Sequence, residues 1–391
     1  MCELLWVIDT RVPGTSLIAQ VLQRVGQVVD IAECTDQQLV QRAYDAGTKG
    51  VVSYLDPDLH RQAWLAEALD LPTSSVRATA LLTDKLLQRE ALAVAGVAQP
   101  RFSAVREPVD DHEVDRLCGE LDFPLLFKPR DGMACRGISA VHDEEELRRL
   151  LRATERPAEM LLEELMPDCA PTGAPYAGRV TVESVESRGV TSHYAIIGLF
   201  SMVPPFRSSG GFFPADVPPD EAQEILALAT GAIKALGSGF GCYRTEVKLT
   251  PDGPKVIEVN GRPTGLTPAT VELAAGFDVM AMSMRIALGE HIVLEGQLVN
   301  QGVAYRYYGE PPMSAERVLT IEGLEKLQDL GGVTSVEVHK AAGDPVDWRN
   351  GSLDRIFQVT GLVGDYAELA RHHRAFAEDV IITYQDRSFS P

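Results

Sequence analysis

The segment Gly241 to Arg262, GCYRTEVKLTPDGPKVIEVNGR, sets two extended runs on either side of Asp252-Gly253 and carries Glu246, Glu258 and Asn260. Asp-Gly between two β-patterned runs is a strong hairpin signal, and antiparallel partners then have numbers that sum to a constant. A turn centred near Asp252 brings Glu246 close to Glu258. Side chains alternate along a strand, so Glu258 and Asn260 are expected on one face and Ile257 and Val259 on the other. Two carboxylates and a carboxamide converging this way suit a divalent cation such as Mg2+, which prefers oxygen ligands, takes few from protein, and completes its shell with water and phosphate. A solvated ribbon whose polar face merely alternates has the same pattern, and Lys248 fits such a surface equally well.

Other stretches carry weaker signals. The loop PRDGMACRG after Lys128 is rich in small residues and holds Arg136, so its amides could cradle phosphates while the strand-borne lysine meets their charge. It is not the G-x-x-x-x-G-K-S/T phosphate loop, and a hairpin turn with exposed charges reads the same. Leu161 to Leu165 (LLEEL) starts as a buried strand and ends acidic. It could offer backbone groups and a carboxylate to an adenine amine, or be a plain strand end. Lys85, in TDK, stands at a helix start, where solvated lysines are ordinary. Cys135 has no neighbouring histidine or second thiol to make it a nucleophile. His372-His373 diverge by about 100 degrees on a helix, so they are expected at the surface and not on a shared metal.

The elements that must position these residues follow from periodicity. ELLWVI, Val28 to Ile31 and Gly50 to Tyr54 read as strands, with helices at Ser16 to Val25 and Asp58 to Leu69, which predicts a small parallel α/β domain. TRVPGTS lacks the spaced glycines of a dinucleotide fingerprint. Leu81 to Ala95 is expected to be one helix, and a domain boundary falls near residues 75 to 100. Next come strand, loop, strand, helix and strand from Phe123 to Leu165, β-rich runs over 178 to 200, and an irregular loop PPFRSSGGFFPADVPP. A helix over Asp220 to Leu236 leads into the hairpin, and helices over Thr267 to Ala275 and Asp278 to Leu288 follow it. Residues 291 to 385 read as a final α+β stretch with strands near Val303 to Tyr308 and Ile356 to Thr360.

Composition fits a soluble globular protein of 391 residues, 45% hydrophobic and 24% charged, long enough for two to four domains. With 56 acidic against 36 basic residues the formal charge is −20, which disfavours nonspecific binding to nucleic acid or anionic membrane. The six cysteines show no zinc-like pairing and suit a reducing compartment. MCELLWVID lacks a basic leader and no run is long enough to span a bilayer, so a cytoplasmic location is expected.

The order TDK, KPRDGMACRG, LLEEL, RTEVK, DGP, IEVNGR resembles the ATP-grasp superfamily over Lys85 to Arg262. The resemblance implies an ATP-grasp fold: an N-terminal Rossmann-like α/β domain (1–85), the nucleotide- and metal-binding domain (86–290) and a C-terminal α+β appendage (291–391). It implies that Lys85 and Lys128 contact ATP and that Gly132 to Gly137, with Arg136 and Gly137, close over the phosphates. Glu163, Glu164 and Leu165 form the adenine hinge, and Asp168 is the candidate for the ribose. Glu246, Glu258 and Asn260 hold Mg2+, for which Mn2+ is a substitute, and Arg262 stabilises the reacting acyl phosphate.

Within the superfamily the chain resembles L-amino acid ligases, which join a carboxylate to an amine and release ADP and phosphate. That implies a small acid and a small amine as partners, with a homodimer left open. Two departures stand out: Phe206-Arg207-Ser208-Ser209-Gly210-Gly211 replaces a loop that usually carries Glu and His, and Arg244-Thr245-Glu246 replaces His-Thr-Glu. Arg207, Ser208, Arg244 and Gly265 are the substrate candidates, and the added arginines suggest an anionic substrate. An ATP-grasp carboxylase or synthetase using another nucleophile, and a nucleotide-binding regulator without catalysis, are the alternatives.

Overall fold

The computed structural model describes residues 4–9, 26–30, 32, 34–167, 176–237, 239–263, 265–294 and 298–387. The helix expected over Ser16 to Val25 and the candidate Asp168 lie outside them. Strands β1 (Leu4–Ile8), β2 (Gln27–Asp30) and β3 (Gly50–Val52) form the expected parallel sheet in the order β2-β1-β3. The helix Asp36–Asp45 begins with a capping box between Thr35 and Gln38, and its Leu39 and Ala43 pack with Val29, Val51 and Leu65. A short turn, Asp56–Asp58, follows β3 at its carboxyl end and leads into the helix Leu59–Ala68.

The single helix expected over Leu81 to Ala95 is two, Val76–Thr83 and Lys85–Val94. Asp84 breaks it. Its backbone stays extended (φ −105°, ψ 112°), and its side chain accepts hydrogen bonds from the N–H groups of Leu86 and Leu87. An aspartate competing with the helix for its own donors outweighs the continuous apolar period on either side. The break places Lys85 at the first position of the second helix, with its N–H bonded to Arg130 O at 2.9 Å.

A small antiparallel sheet comprises β4 (Phe102–Ala104), β5 (Leu125–Pro129), β6 (Ser139–Val141) and β7 (Met160–Glu164), ordered β4-β7-β5-β6. The helices Asp111–Glu120 and Glu144–Ala153 cover one face through Val114, Leu117, Leu147 and Leu151. The other face looks across a cleft at a larger sheet.

That larger sheet contains β8 (Tyr176–Ser187), β9 (Val190–Phe200), β10 (Gly210–Phe213), β11 (Gly241–Thr250), β12 (Gly253–Asn260) and β13 (Val303–Gly309). A separate ribbon pairs β14 (Ala315–Glu322) with the last strand, while β15 (Val333–Val338) and β16 (Phe357–Val363) rejoin the large sheet; β17 (Ile381–Asp386) closes the ribbon. The large sheet has the order β12-β11-β8-β9-β10-β13-β16-β15. Residues beyond 290 therefore extend the central sheet, and the division expected at 290 does not separate sheets. The stretch read as an irregular loop contains β10 and a Val203–Arg207 bridge. At Gly210 (φ 102°) a Cβ would fall 1.9 Å from Arg306 O, so strand β13 can approach only a glycine there.

Two surface expectations fail. His372 is 6% exposed and its Nδ1 meets Tyr305 Oη at 2.9 Å, while His373 stacks on Phe200 and Tyr307. The helix Tyr366–Glu378 is packed against the large sheet by an aromatic cluster, so both rings have neighbours that helical spacing alone does not reveal.

Candidate active site

The expected hairpin forms, with Thr250 opposite Gly253 at its turn. Glu246 lies directly opposite Glu258, and Arg244 opposite Asn260, across β11 and β12. The strands do not keep one register, because the sum of partner numbers changes after Glu246/Glu258 and leaves Ile257 as an inserted residue. The expected alternation is corrected accordingly. Val256 and Val259 both enter the core with Leu82 and Leu92, while Ile257 joins Glu258 and Asn260 on the cleft wall. The bulge adds an apolar residue to the site without turning the two ligand candidates away from it.

The cleft between the two sheets has a volume of about 270 Å³. Leu126, Ile138, Leu165, Met166 and Ile257 give it apolar surface. The hinge N–H groups of Glu164 and Leu165 are bonded to Arg101 O (3.0 Å) and Pro124 O (2.9 Å). Glu164 itself pairs with Arg101 at 2.8 Å. The Leu165 amide is thus already bonded, and Leu165 and Met166 line the cleft.

Glu163 is not a free carboxylate awaiting an amine. It is 2% exposed, with Oε1 2.6 Å from Arg89 Nε and Oε2 2.8 Å from Lys128 Nζ. Burial alone would raise its carboxyl, but Arg89 and Lys128, through charge and hydrogen bonds, bring it down to about 2. Burial pushes the Lys128 ammonium down; Glu163 opposes this and Arg89 adds to it. Glu163 pairs with both buried cations, and the Glu258 carboxylate also acts on Lys128. Arg89 also donates to Ile257 O and, at 3.4 Å, to Val256 O, tying the small sheet to β12.

Lys85 Nζ donates to Gly132 O at 3.0 Å and lies 3.6 Å from Glu258 Oε2. Burial would raise the Glu258 carboxyl, and Lys85, Lys128, Asn260 and Arg262 together hold it below the usual range. Asn260 Nδ2 donates to Glu258 Oε1 at 3.3 Å, which turns its carbonyl oxygen away as a remaining ligand. Among the described residues no group of three or more His, Cys, Asp or Glu is placed to hold a metal. Two carboxylates and a carboxamide oxygen suit Mg2+, which keeps water and phosphate in its shell, and do not suit a metal needing a closed protein cage.

Gly132 to Gly137 folds over this site. Ala134 (φ 57°) and Cys135 (φ 60°) both sit in the left-handed region, and Gly137 (φ 71°) packs on Pro129. Cys135 faces Arg179, Glu246, Glu258 and Lys85, and burial pushes its thiol up to about 11, which disfavours the thiolate. Arg136 lines the cleft with the loop.

At the other end of the cleft, Arg262 forms a two-pronged pair with Asp56, Nε to Oδ1 at 2.7 Å and Nη2 to Oδ2. Arg244 lies 3.6 Å from both Glu183 Oε1 and Glu246 Oε1, and Arg179 lies 3.7 Å from Glu246 Oε2. Met202, Phe206 and Ser208 complete this wall. Arg207 does not reach it. It is 1% exposed, donates twice to Pro204 O and faces Glu310 at 3.5 Å, because alternation about the Val203–Arg207 bridge turns it inward. Gly265 also lies off the wall, its carbonyl accepting from Arg306 at 2.7 Å.

Asp56, Arg89, Arg179 and Ser352 belong to the site and carry no motif. Asp56 had one available signal, its place just past the carboxyl end of a parallel strand, where α/β sheets collect ligands.

The family model described as D-ala D-ala ligase C-terminus matches residues 91–275. The match takes in just under half of the chain, so it shows a similarity to that family. Its relatives include a D-alanine–D-alanine ligase of Syntrophotalea carbinolica, 28% identical over 298 residues, 70% of this chain and 88% of that one. An uncharacterized protein of Sinorhizobium fredii is 25% identical over 290 residues; the match takes in 71% of this chain and 56% of that protein's length. In structure the chain is similar to an L-amino acid ligase from Bacillus licheniformis, with a TM-score of 0.78 at 21% identity and coverage of 98% and 99%.

Proposed function

We propose that the protein is an ADP-forming carboxylate–amine ligase that couples a small acid to a small amine using MgATP. The observation that carries this reading is the facing pair of layers: Glu246, Glu258 and Asn260 on one sheet, with Lys85, Lys128 and the strained loop opposite them. The ligase relatives support the same reaction class.

Each residue then has a physical task. The apolar end takes the adenine ring, and Lys85 and Lys128 meet the phosphates. Glu246, Glu258 and Asn260 would hold Mg2+, which when bound neutralises phosphate charge. A carboxylate is a poor electrophile because oxide must leave, so its oxygen takes the γ-phosphoryl group and ADP departs. The amine nitrogen then attacks the acyl carbon, and phosphate leaves. Arg262, held by Asp56, faces the oxyanion formed in that attack. Arg244 and Ser208 stand where the acid must lie, and the 131–137 loop keeps water from the acyl phosphate.

The anionic-substrate idea loses Arg207, which is buried away from the cleft, and rests on Arg244 alone among its original residues. The test is a MgATP assay with paired acid and amine panels that reads ADP, phosphate and product mass. Amine-dependent ADP release is expected; AMP with pyrophosphate would overturn the mechanism, and ADP release dependent on bicarbonate instead of an amine would reassign the nucleophile.

A further inference from the structure

The turn Trp348–Leu353 lies far along the chain from every motif, yet it touches two separate walls of the cleft. Ser352 N donates to Ala134 O at 3.0 Å, at the crest of the loop that covers the phosphates. Ser352 Oγ accepts from Ser208 N at 2.8 Å, on the wall where the acid is placed. Its carbonyl accepts from Arg355 Nη2 at 3.1 Å, and the residue is 8% exposed, so its position is fixed from behind. One buried serine thus joins the loop to the acid-side wall through a chain of two hydrogen bonds.

Gly351 shows that this contact is specified by sequence. Its backbone (φ 64°, ψ −145°) lies in a region essentially closed to residues with a Cβ. A Cβ built there would also fall 1.9 Å from Ala134 O and 3.0 Å from Arg136 Cγ. Conformation and space independently require glycine at the place where the loop is seated. On the loop side, Ala134 and Cys135 carry positive φ without being glycines, a strain that persists only while other contacts hold it.

We propose that Ser352 is a positioning residue that latches the phosphate-covering loop to the acid-side wall, so that the loop seats fully only when Ser208 is in its substrate-bound place. The latch rests on the ligase reading for its purpose, which is to keep water from an activated acid until the amine arrives. Its physical content, a backbone contact that stabilises the closed loop, stands apart from that reading.

The experiment is hydrogen–deuterium exchange across residues 131–137 in the full-length wild type, Gly351→Ala, Ser352→Ala and Ser352→Thr, with MgADP and without it. Gly351→Ala is expected to raise exchange in the loop at least tenfold while the core of the large sheet is unchanged. Ser352→Ala, which keeps the N–H but loses the acceptor for Ser208, is expected to expose residues 206–210, and Ser352→Thr to restore them. With turnover measured alongside, Gly351→Ala should release ADP in excess over amide product, as water reaches the acyl phosphate. Unchanged loop exchange in Gly351→Ala, or unchanged exchange at 206–210 in Ser352→Ala, overturns the latch. A wild type that forms no ADP with any acid and amine sinks the ligase reading, and the exchange pattern still decides the latch.

Discussion

Asp56 and Arg262 grip each other through two parallel hydrogen bonds although 206 residues separate them. The acid comes from the turn after the third strand of the N-terminal sheet, the base from just past the β11–β12 hairpin. A planar guanidinium held bidentately has its orientation fixed, which a lysine at the same place would not have.

Removing that grip should be felt in the chemical step. Asp56→Asn is expected to lower kcat by about 10- to 100-fold with little change in the KM for ATP, and Arg262→Lys to cost about 10²- to 10³-fold, the range for losing a fixed oxyanion donor. Steady-state kinetics on both variants checks this, and a loss confined to the KM for ATP would remove Arg262 from the reacting end.

Glu258 is expected to be indispensable for the metal. Glu258→Gln should weaken Mn2+ binding in the presence of ADP by at least about tenfold, since even partners of a ligand commonly cost 10- to 100-fold. The metal-free variant should also unfold at a lower temperature, because the substitution removes a charge that Lys85, Lys128 and Arg262 oppose and that Asn260 donates to. Unaltered Mn2+ titration curves would dissolve the proposed site.

Glu163 carries a structural charge whose loss leaves Arg89 and Lys128 buried and unpaired. Glu163→Gln is therefore expected to destabilise the fold by about 3–5 kcal/mol. Its acid dependence has a defined sign. The folded value, about 2, lies below the ordinary 4.5, so the stabilisation is complete above the unfolded value and is lost as pH falls from about 4.5 towards 2. Denaturant titrations of wild type and variant across that window should converge at its acid end.

Asp58 and Glu310 act in the opposite sense. Burial raises each to about 7, against the opposing Asp9 N–H at the first and Arg207 at the second. An unfolded chain ionises such groups near 3.9 and 4.3, respectively, so the folded state binds more protons between these values and 7. The slope of stability with pH is negative there: their contribution is whole below about pH 4 and is lost as pH rises through about 7. Glu310→Gln should flatten the decline between pH 5 and 7, read as the denaturation midpoint against pH. A parallel decline in the variant would assign it elsewhere.

The sheet-level plan was legible because hydrophobic period and turn residues act locally. Asp252-Gly253 marks the hairpin, and the inserted Ile257 sets Glu246 against Glu258. The inserted Ile257 was not legible, since one extra residue leaves the strand pattern readable in two ways. Asp84 could have been read as a helix breaker from its capping chemistry, but the apolar repeat around it is unbroken. Arg207 looked like a substrate contact because its type and neighbourhood suited one; only the tertiary fold reveals the turn that buries it beside Glu310. Ser352 reaches the cleft through long-range packing and has no local signature at all, while Asp56 has only its place just past the end of a parallel strand.

Arg89 has its Nε on Glu163 of the small sheet and its other nitrogens on the carbonyls of Val256 and Ile257 in the large one. Any rocking of one sheet against the other must turn about this knot if its bonds are to survive. Points near an axle hardly travel, while those at the rim sweep widely. The apolar lining beside Glu163 therefore stays put through such a swing, and the displacement accumulates at the outer helices Asp111–Glu120 and Glu144–Ala153.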